Sequence, residues 1–242
     1  MSKQSARETR AERAAAAMEV QRRQERRRAT LMIGGVVLVI LAIVVGGFLI
    51  NRARDTSTDV AAPAAGSGDF GVAIGDKNAP HTVVIYEDFL CPYCGELEQA
   101  TRSELATLAD EGKVYVEYRP FNLLQTDYSV DAAAAFKVVL DASGPDVAKK
   151  FHDLLYENQP EESGPYPDSS WLVDKAVEAG AQEGKVSNDI EQGTGKAWVE
   201  DASAAASDSG VRGTPTILLD GKVFQDGRTV DDLANNLLAQ LQ

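Results

Sequence analysis

From Leu31 to Ile50 the chain reads LMIGGVVLVILAIVVGGFLI, twenty residues without one charged side chain, and nothing limits more tightly what the rest can become. At about 1.5 Å of rise per residue, a helix of this length reaches roughly 30 Å, the thickness of a bilayer's hydrocarbon core. The run predicts a membrane-spanning helix. It is too long for the apolar stretch of a cleaved signal peptide, and the nearest small-residue site, Ala62-Pro63-Ala64, lies well beyond its end. A buried core helix fits no better, because no flanking segment has a matching apolar periodicity. Arg22, Arg23, Arg26, Arg27 and Arg28 precede the run, against Arg52 and Arg54, with Asp55, after it. By the positive-inside rule the N-terminus is cytoplasmic and the remainder lies outside the membrane.

The formal charge of −13 divides at this span. Residues 1–30 hold nine Lys and Arg against four Glu, whereas residues 60–242 hold thirteen Lys and Arg against thirty-one Asp and Glu. The first segment, 1–30, reads as a basic arm beside anionic lipid headgroups. The acidic remainder argues against a nucleic-acid partner, since affinity for phosphate backbones rests on clustered cations. Residues 51–69, rich in Ala, Ser, Thr, Gly and Asp, read as a flexible linker. Fifteen of the sixteen aromatics lie beyond it, so one globular domain is expected over 70–242, ample for a core.

Within that domain, His81 to Tyr86 (HTVVIY) is a continuous β-branched and aromatic run, as in a central strand covered on both faces. Leu97, Ala100, Leu105 and Leu108 then recur at helical spacing from Pro92 to Asp110, with Gly112 placed to close the helix. Lys113 to Arg119 (KVYVEYR) alternates as a second strand. Far downstream, Thr216 to Leu219, the dipeptide Asp220-Gly221 and Lys222 to Phe224 make a hairpin with a type I′ turn. Thr229, three residues before Asp232, caps a last helix with Leu233, Leu237 and Leu241 on one face. The intervening stretch, about 124–209, shows helical spacing at Phe136, Val139 and Leu140, at Val147, Phe151, Leu154 and Leu155, and from Trp171 to Ala179. It is too long for a loop and reads as an inserted helical subdomain, broken at Gly144-Pro145 and between Pro160 and Pro167. The expected fold is α/β, in the order β-α-β, helical insertion, β-β-α.

The only two cysteines stand at the first strand-to-helix junction, in Glu87-Asp-Phe-Leu-Cys91-Pro-Tyr-Cys94. Three residues is nearly one helical turn. Cys91 falls at the N-cap, Pro92 at the first helical position it favours, and Cys94 at the third. Free N–H groups and the positive end of the helix dipole favour a Cys91 thiolate, a nucleophile; Cys94 is placed to close a reducible disulfide with it. A zinc site would need four ligands, and beyond the cysteines the chain offers only His81 and His152, neither at finger spacing, so no metal is expected. A structural disulfide over so short a loop would restrict the unfolded chain very little.

With FLCPYC after a strand and Val211-Arg-Gly-Thr-Pro-Thr216 before a late hairpin, the chain resembles the DsbA-like branch of the thioredoxin superfamily over nearly all of 70–242. The resemblance implies a thioredoxin-like fold with a helical insertion, a redox-active Cys91–Cys94 disulfide, and a cis bond between Thr214 and Pro215 facing it. A loop so turned offers backbone hydrogen bonds to an extended substrate. The strongest oxidant of that family has Pro-His between its cysteines; Pro92-Tyr93 here supplies no imidazolium, and Glu87 and Asp88, if close, oppose thiolate formation.

The expected activity is disulfide formation in exported proteins with cysteine thiols, by a membrane-tethered enzyme without a cofactor. The resemblance also implies a membrane quinone-linked thiol oxidase as reoxidant. A reductase or isomerase of the same fold, and a tethered peptide-binding or chaperone module without turnover, are the alternatives. His152 is expected at the surface or an interface, and Trp171 and Trp198 in core packing.

Overall fold

The computed structural model describes residues 69–242, so the expected arm, span and most of the linker lie outside the described residues. Among the described residues no helix is long and apolar enough to cross a membrane.

The HTVVIYE run becomes the central strand β2 (His81–Glu87) because it can bury both faces: Val83 and Ile85 point to one core, Val84 and Tyr86 to the other. Beside it runs β3 (Val114–Pro120), parallel, with Val83 opposite Val116. A short strand that the periodicity does not announce, β1 (Val72–Ile74), adds antiparallel to the outer edge of β3. On the other side of β2 lies β4 (Thr216–Leu219), antiparallel, followed by β5 (Lys222–Phe224). The order is β1-β3-β2-β4-β5. Asp220 and Gly221 both take positive φ (49° and 78°), the backbone that a type I′ turn demands.

The parallel pair β2 and β3 needs a crossover, and α1 (Pro92–Asp110) supplies it. Leu97, Leu105 and Leu108 face the sheet, as their spacing predicts. Ala100 does not: it is exposed, and Thr101 takes the buried place by donating its hydroxyl to Leu97 O at 2.8 Å. Gly112 N–H donates to Ala109 O and Lys113 N–H to Leu108 O, which closes the helix in a Schellman arrangement.

The insertion comprises five helices: α2 (Asp127–Ser143), α3 (Pro145–Glu157), α4 (Ser169–Ala179), α5 (Glu183–Gln192) and α6 (Lys196–Asp208). Its breaks fall at Gly144-Pro145 and across 158–168, where the proline and turn residues stand. Helix α7 (Val230–Gln240) ends the chain, its N-cap Thr229 accepting from Asp232 N–H at 3.1 Å. Leu237 and Leu241 are buried and Leu233 is half-buried.

Two cores flank the sheet. The larger joins β2 and β3 to α1, α7 and helices of the insertion; the smaller packs Val84, Tyr86, Phe121 and Leu218 against Ala202 and Ala206 of α6. Trp171 and Trp198 pack against these cores half-buried.

His152 corrects the sequence reading: it is fully buried, not at a surface. Its ring meets Tyr118, Phe89 and Tyr156 at centroid distances of 4.8, 5.7 and 5.1 Å, because α3 lies between the sheet side and the rest of the insertion and leaves this face no solvent.

Candidate active site

Cys91 ends the turn that leaves β2. Its N–H donates to Asp88 O at 2.9 Å, and its φ and ψ (−67° and 118°) are extended, as an N-cap requires. Pro92 fills the first helical position at no cost in hydrogen bonds, since that N–H would be unpaired anyway. Cys94 follows one turn on. Both thiols are free and buried, whereas Tyr93 between them is 60% exposed and stands out into solvent.

The two sulfurs differ in acidity. A hydrogen bond from the Cys94 thiol favours the Cys91 anion; burial opposes it; Thr214 and the backbone N–H groups of Cys94 and Tyr93 add to the first effect. The balance brings the Cys91 pKa from its ordinary value down to about 6. Burial pushes the Cys94 thiol well above the ordinary range, and the neighbouring Cys91 and Glu87 push it further. One sulfur is thus a thiolate at neutral pH and the other holds its proton.

Thr214 comes from far along the chain. Because β4 pairs with β2, with Tyr86 opposite Thr216, the residues just before β4 are delivered beside the residues just after β2. The Thr214–Pro215 bond is cis, and the Cys91 thiol points at Thr214 O from 3.5 Å. Beside this meeting point opens a cavity of about 440 Å³ lined by Tyr93, Thr214, Pro215, Phe224, Arg228 and Leu233, among others. Its walls are largely apolar, and Tyr93, between the two cysteines, stands at one side of it.

Glu87 and Asp88 are close, but they do not oppose the Cys91 thiolate as the sequence suggests. The Asp88 carboxylate turns inward and is satisfied by the N–H groups of Leu90, Leu123 and Leu124 and by the Ser129 hydroxyl, at 2.7–3.0 Å. It serves as a fastening for the β2–α1 turn. Glu87 meets His152 Nε2 at 2.6 Å, so its charge bears on Cys94 rather than Cys91.

Behind α1 this pair extends into a buried ionic cluster. His152 Nδ1 lies 3.0 Å from Asp153 and 3.8 Å from Glu98, and Lys149 reaches Glu98 at 3.4 Å and also contacts Asp153. Burial alone would lower the His152 pKa; the surrounding carboxylates, Glu87 first, outweigh it and raise the pKa to about 9. Glu98, His152 and Asp153 are donors that could ligate a cation, yet the ammonium of Lys149 already sits among them. Sequence reasoning missed this cluster, and its one legible signal was the placing of His152 beside Phe151 on an apolar helix.

Comparisons with known proteins agree with this arrangement. Residues 69–238 match the family described as Thioredoxin. The reduced disulfide bond oxidoreductase DsbG of Mycobacterium tuberculosis is 31% identical, with 73% of this chain and 88% of that one covered at a TM-score of 0.62. Oxidised DsbA of the same organism is 30% identical over 71% of this chain and 90% of its own, at 0.59. BdbD of Bacillus subtilis, 22% identical, shares the fold over 76% of this chain and 98% of its own, at 0.64. Among curated proteins, the serine/threonine-protein kinase PknE of M. tuberculosis is 26% identical over 158 residues, 61% of this chain but 28% of the kinase's length.

Proposed function

The chain belongs to the thioredoxin family and is an oxidoreductase, and from that premise we propose that it forms disulfides in exported proteins while tethered to the cell membrane. The observation that carries the reading is the unequal sulfur pair, Cys91 acidic and Cys94 not, next to a groove that Tyr93 and Thr214 help to line. In the oxidised enzyme a client thiolate attacks Cys91 Sγ. The Cys91–Cys94 bond breaks, a mixed disulfide forms, and the Cys94 sulfur leaves and takes up a proton, as its high pKa favours. The client's second thiolate then attacks the client sulfur of the mixed disulfide, and Cys91 departs as a thiolate. Its low pKa makes it a good leaving group. Two electrons have passed from the client to the enzyme, which a membrane quinone-linked thiol oxidase would withdraw.

The groove supports this reading because a client must present its cysteine in an extended segment, for which the Thr214 carbonyl is an available acceptor. The uncharged run 31–50 and its arginine flank support a membrane tether with the N-terminus cytoplasmic and residues 70–242 outside, where disulfides persist. Tethering enzyme and reoxidant to one membrane raises their effective concentration. The test is oxidation of a reduced model protein by the oxidised enzyme. Wild type is expected to introduce disulfides and Cys91→Ser to be inactive. Activity surviving in the variant would sink the proposal, and a wild type that only reduces disulfides would reverse its direction.

A further inference from the structure

Proline at position 92 leaves the peptide plane after Cys91 without an N–H, so only the carbonyl of Cys91 can anchor that plane. Three donors reach this oxygen. The N–H groups of Cys94 and Gly95, at 3.1 and 3.2 Å, belong to α1 itself. The third is Nε2 of Gln159, at 3.0 Å, just past the end of α3 in the insertion. The same nitrogen also donates to Phe89 O at 2.9 Å, so one carboxamide straddles the turn Phe89-Leu90-Cys91 and holds the carbonyls at both of its ends.

Gly95 is the second half of this device. A glycine inside a helix costs about 1 kcal/mol relative to alanine, so it needs a reason. Here the reason is contact: a Cβ at position 95 would collide with Oε1 of Gln159. The bare backbone of Gly95 is the seat on which the carboxamide rests.

We infer that Gln159 is a positioning residue for Cys91: seated over Gly95, its carboxamide fixes the plane of the Cys91 carbonyl and so keeps the N–H groups of Tyr93 and Cys94 directed at the Cys91 sulfur. Those two N–H groups are among the donors that favour the thiolate. Rotation of the Cys91 carbonyl plane would carry them off the sulfur and loosen only the first turn of α1, whose Cys94 and Gly95 N–H groups bond that same oxygen. The other titratable groups around the turn are Cys94 on α1, Tyr93 beside it, Glu87 and Asp88 at the end of β2, and His152 and Tyr156 on α3. Glu87 is paired with His152, Asp88 is satisfied by the loop, and the Tyr156 hydroxyl donates to Asp88 O at 3.2 Å. None of these contacts involves Gln159, so its removal changes the acidity of Cys91 through geometry alone.

The inference rests on Cys91 being the reacting sulfur, and it is tested without any client or reoxidant. The rate of Cys91 alkylation by iodoacetamide is followed from pH 4 to 9 in the reduced full-length protein, with Cys94 quantified separately by mass spectrometry. In Gln159→Ala the thiolate midpoint is expected to rise by about one unit, which makes alkylation about fivefold slower at pH 6 and leaves it unchanged at pH 9. Gly95→Ala displaces the carboxamide while improving helix propensity, so it is expected to shift the midpoint the same way without loss of thermal stability. The double variant should go no further than either single one. An unmoved midpoint in Gly95→Ala, or in a folded Gln159→Ala, overturns the inference, and so does a fully additive double variant. A wild type that fails to oxidise clients but titrates with a low midpoint would defeat the proposed function and leave this inference standing.

Discussion

Cys91 and Cys94 are one turn apart and opposite in acidity, and the difference comes from where each sulfur sits. Cys91 meets several donors; Cys94 is enclosed by the core and by the Glu87 carboxylate. Because Tyr93 stands 60% exposed, its side chain can be exchanged without disturbing the core. Tyr93→His places an imidazole beside the sulfur, and its cationic form is expected to bring the Cys91 midpoint below about 6. Thiolate absorbance followed through the acid range measures it; a midpoint at or above the wild-type value contradicts the argument. His152 is the residue that sequence reasoning placed wrongly. Its partner Glu87 lies 65 positions away, at the end of a strand, and a pairing of that kind leaves no local pattern to read. Replacing His152 by Leu leaves Glu87 and Glu98 buried and under-compensated, which is expected to cost on the order of 3–5 kcal/mol in urea denaturation.

At the scale of elements, what could be read early is what local chemistry decides. The helix over Pro92–Asp110, the hairpin around Asp220-Gly221 and the cap at Thr229 all follow from residues whose backbone preferences act within a few positions. Thr229→Ala is therefore expected to cost about 1 kcal/mol of stability with the Cys91 titration unmoved; an unchanged denaturation midpoint would mean that the cap contributes nothing. Strand β1 escaped because three residues offer no periodicity; Val72, Ala73 and Ile74 are a strand only because β3 presents a free edge to them. Helices α5 and α6 were legible only as part of a helical stretch, since few of their positions are apolar and buried. The same limit hid the Gln159 carboxamide, whose meaning depends on carbonyls that the fold brings to it.

For the molecule as a whole, His152 in the buried ion cluster and Cys91 give opposite responses to alkali. The His152 pKa is raised to about 9 in the fold from about 6.5 unfolded, so its contribution is complete below pH 6.5 and disappears as the pH rises through 9. The Cys91 pKa is depressed to about 6, so in the reduced protein its contribution is complete above the unfolded thiol pKa and is lost as the pH falls through 6. Between pH 6.5 and 9 the oxidised form is expected to lose stability on the order of 3 kcal/mol, and the reduced form less, because its thiolate offsets the loss. Chemical denaturation of both forms at the two pH values checks this; equal losses would contradict it.

The pairing of Tyr86 with Thr216 has a consequence for how such a protein can change. The spacing between the cysteine turn and the Thr214 loop is set by two neighbouring strands, so the five helices threaded between β3 and β4 are, for that spacing, an exchangeable cassette on a fixed chassis. A few stitches join cassette to chassis at the turn, among them Leu124 and Ser129 to Asp88, His152 to Glu87, Tyr156 to Asp88 O, and Gln159 to Phe89 and Cys91. A transplanted insertion that kept those stitches would carry its own outer surface to an unchanged pair of sulfurs. One that dropped them would keep the sulfurs together and narrow their difference.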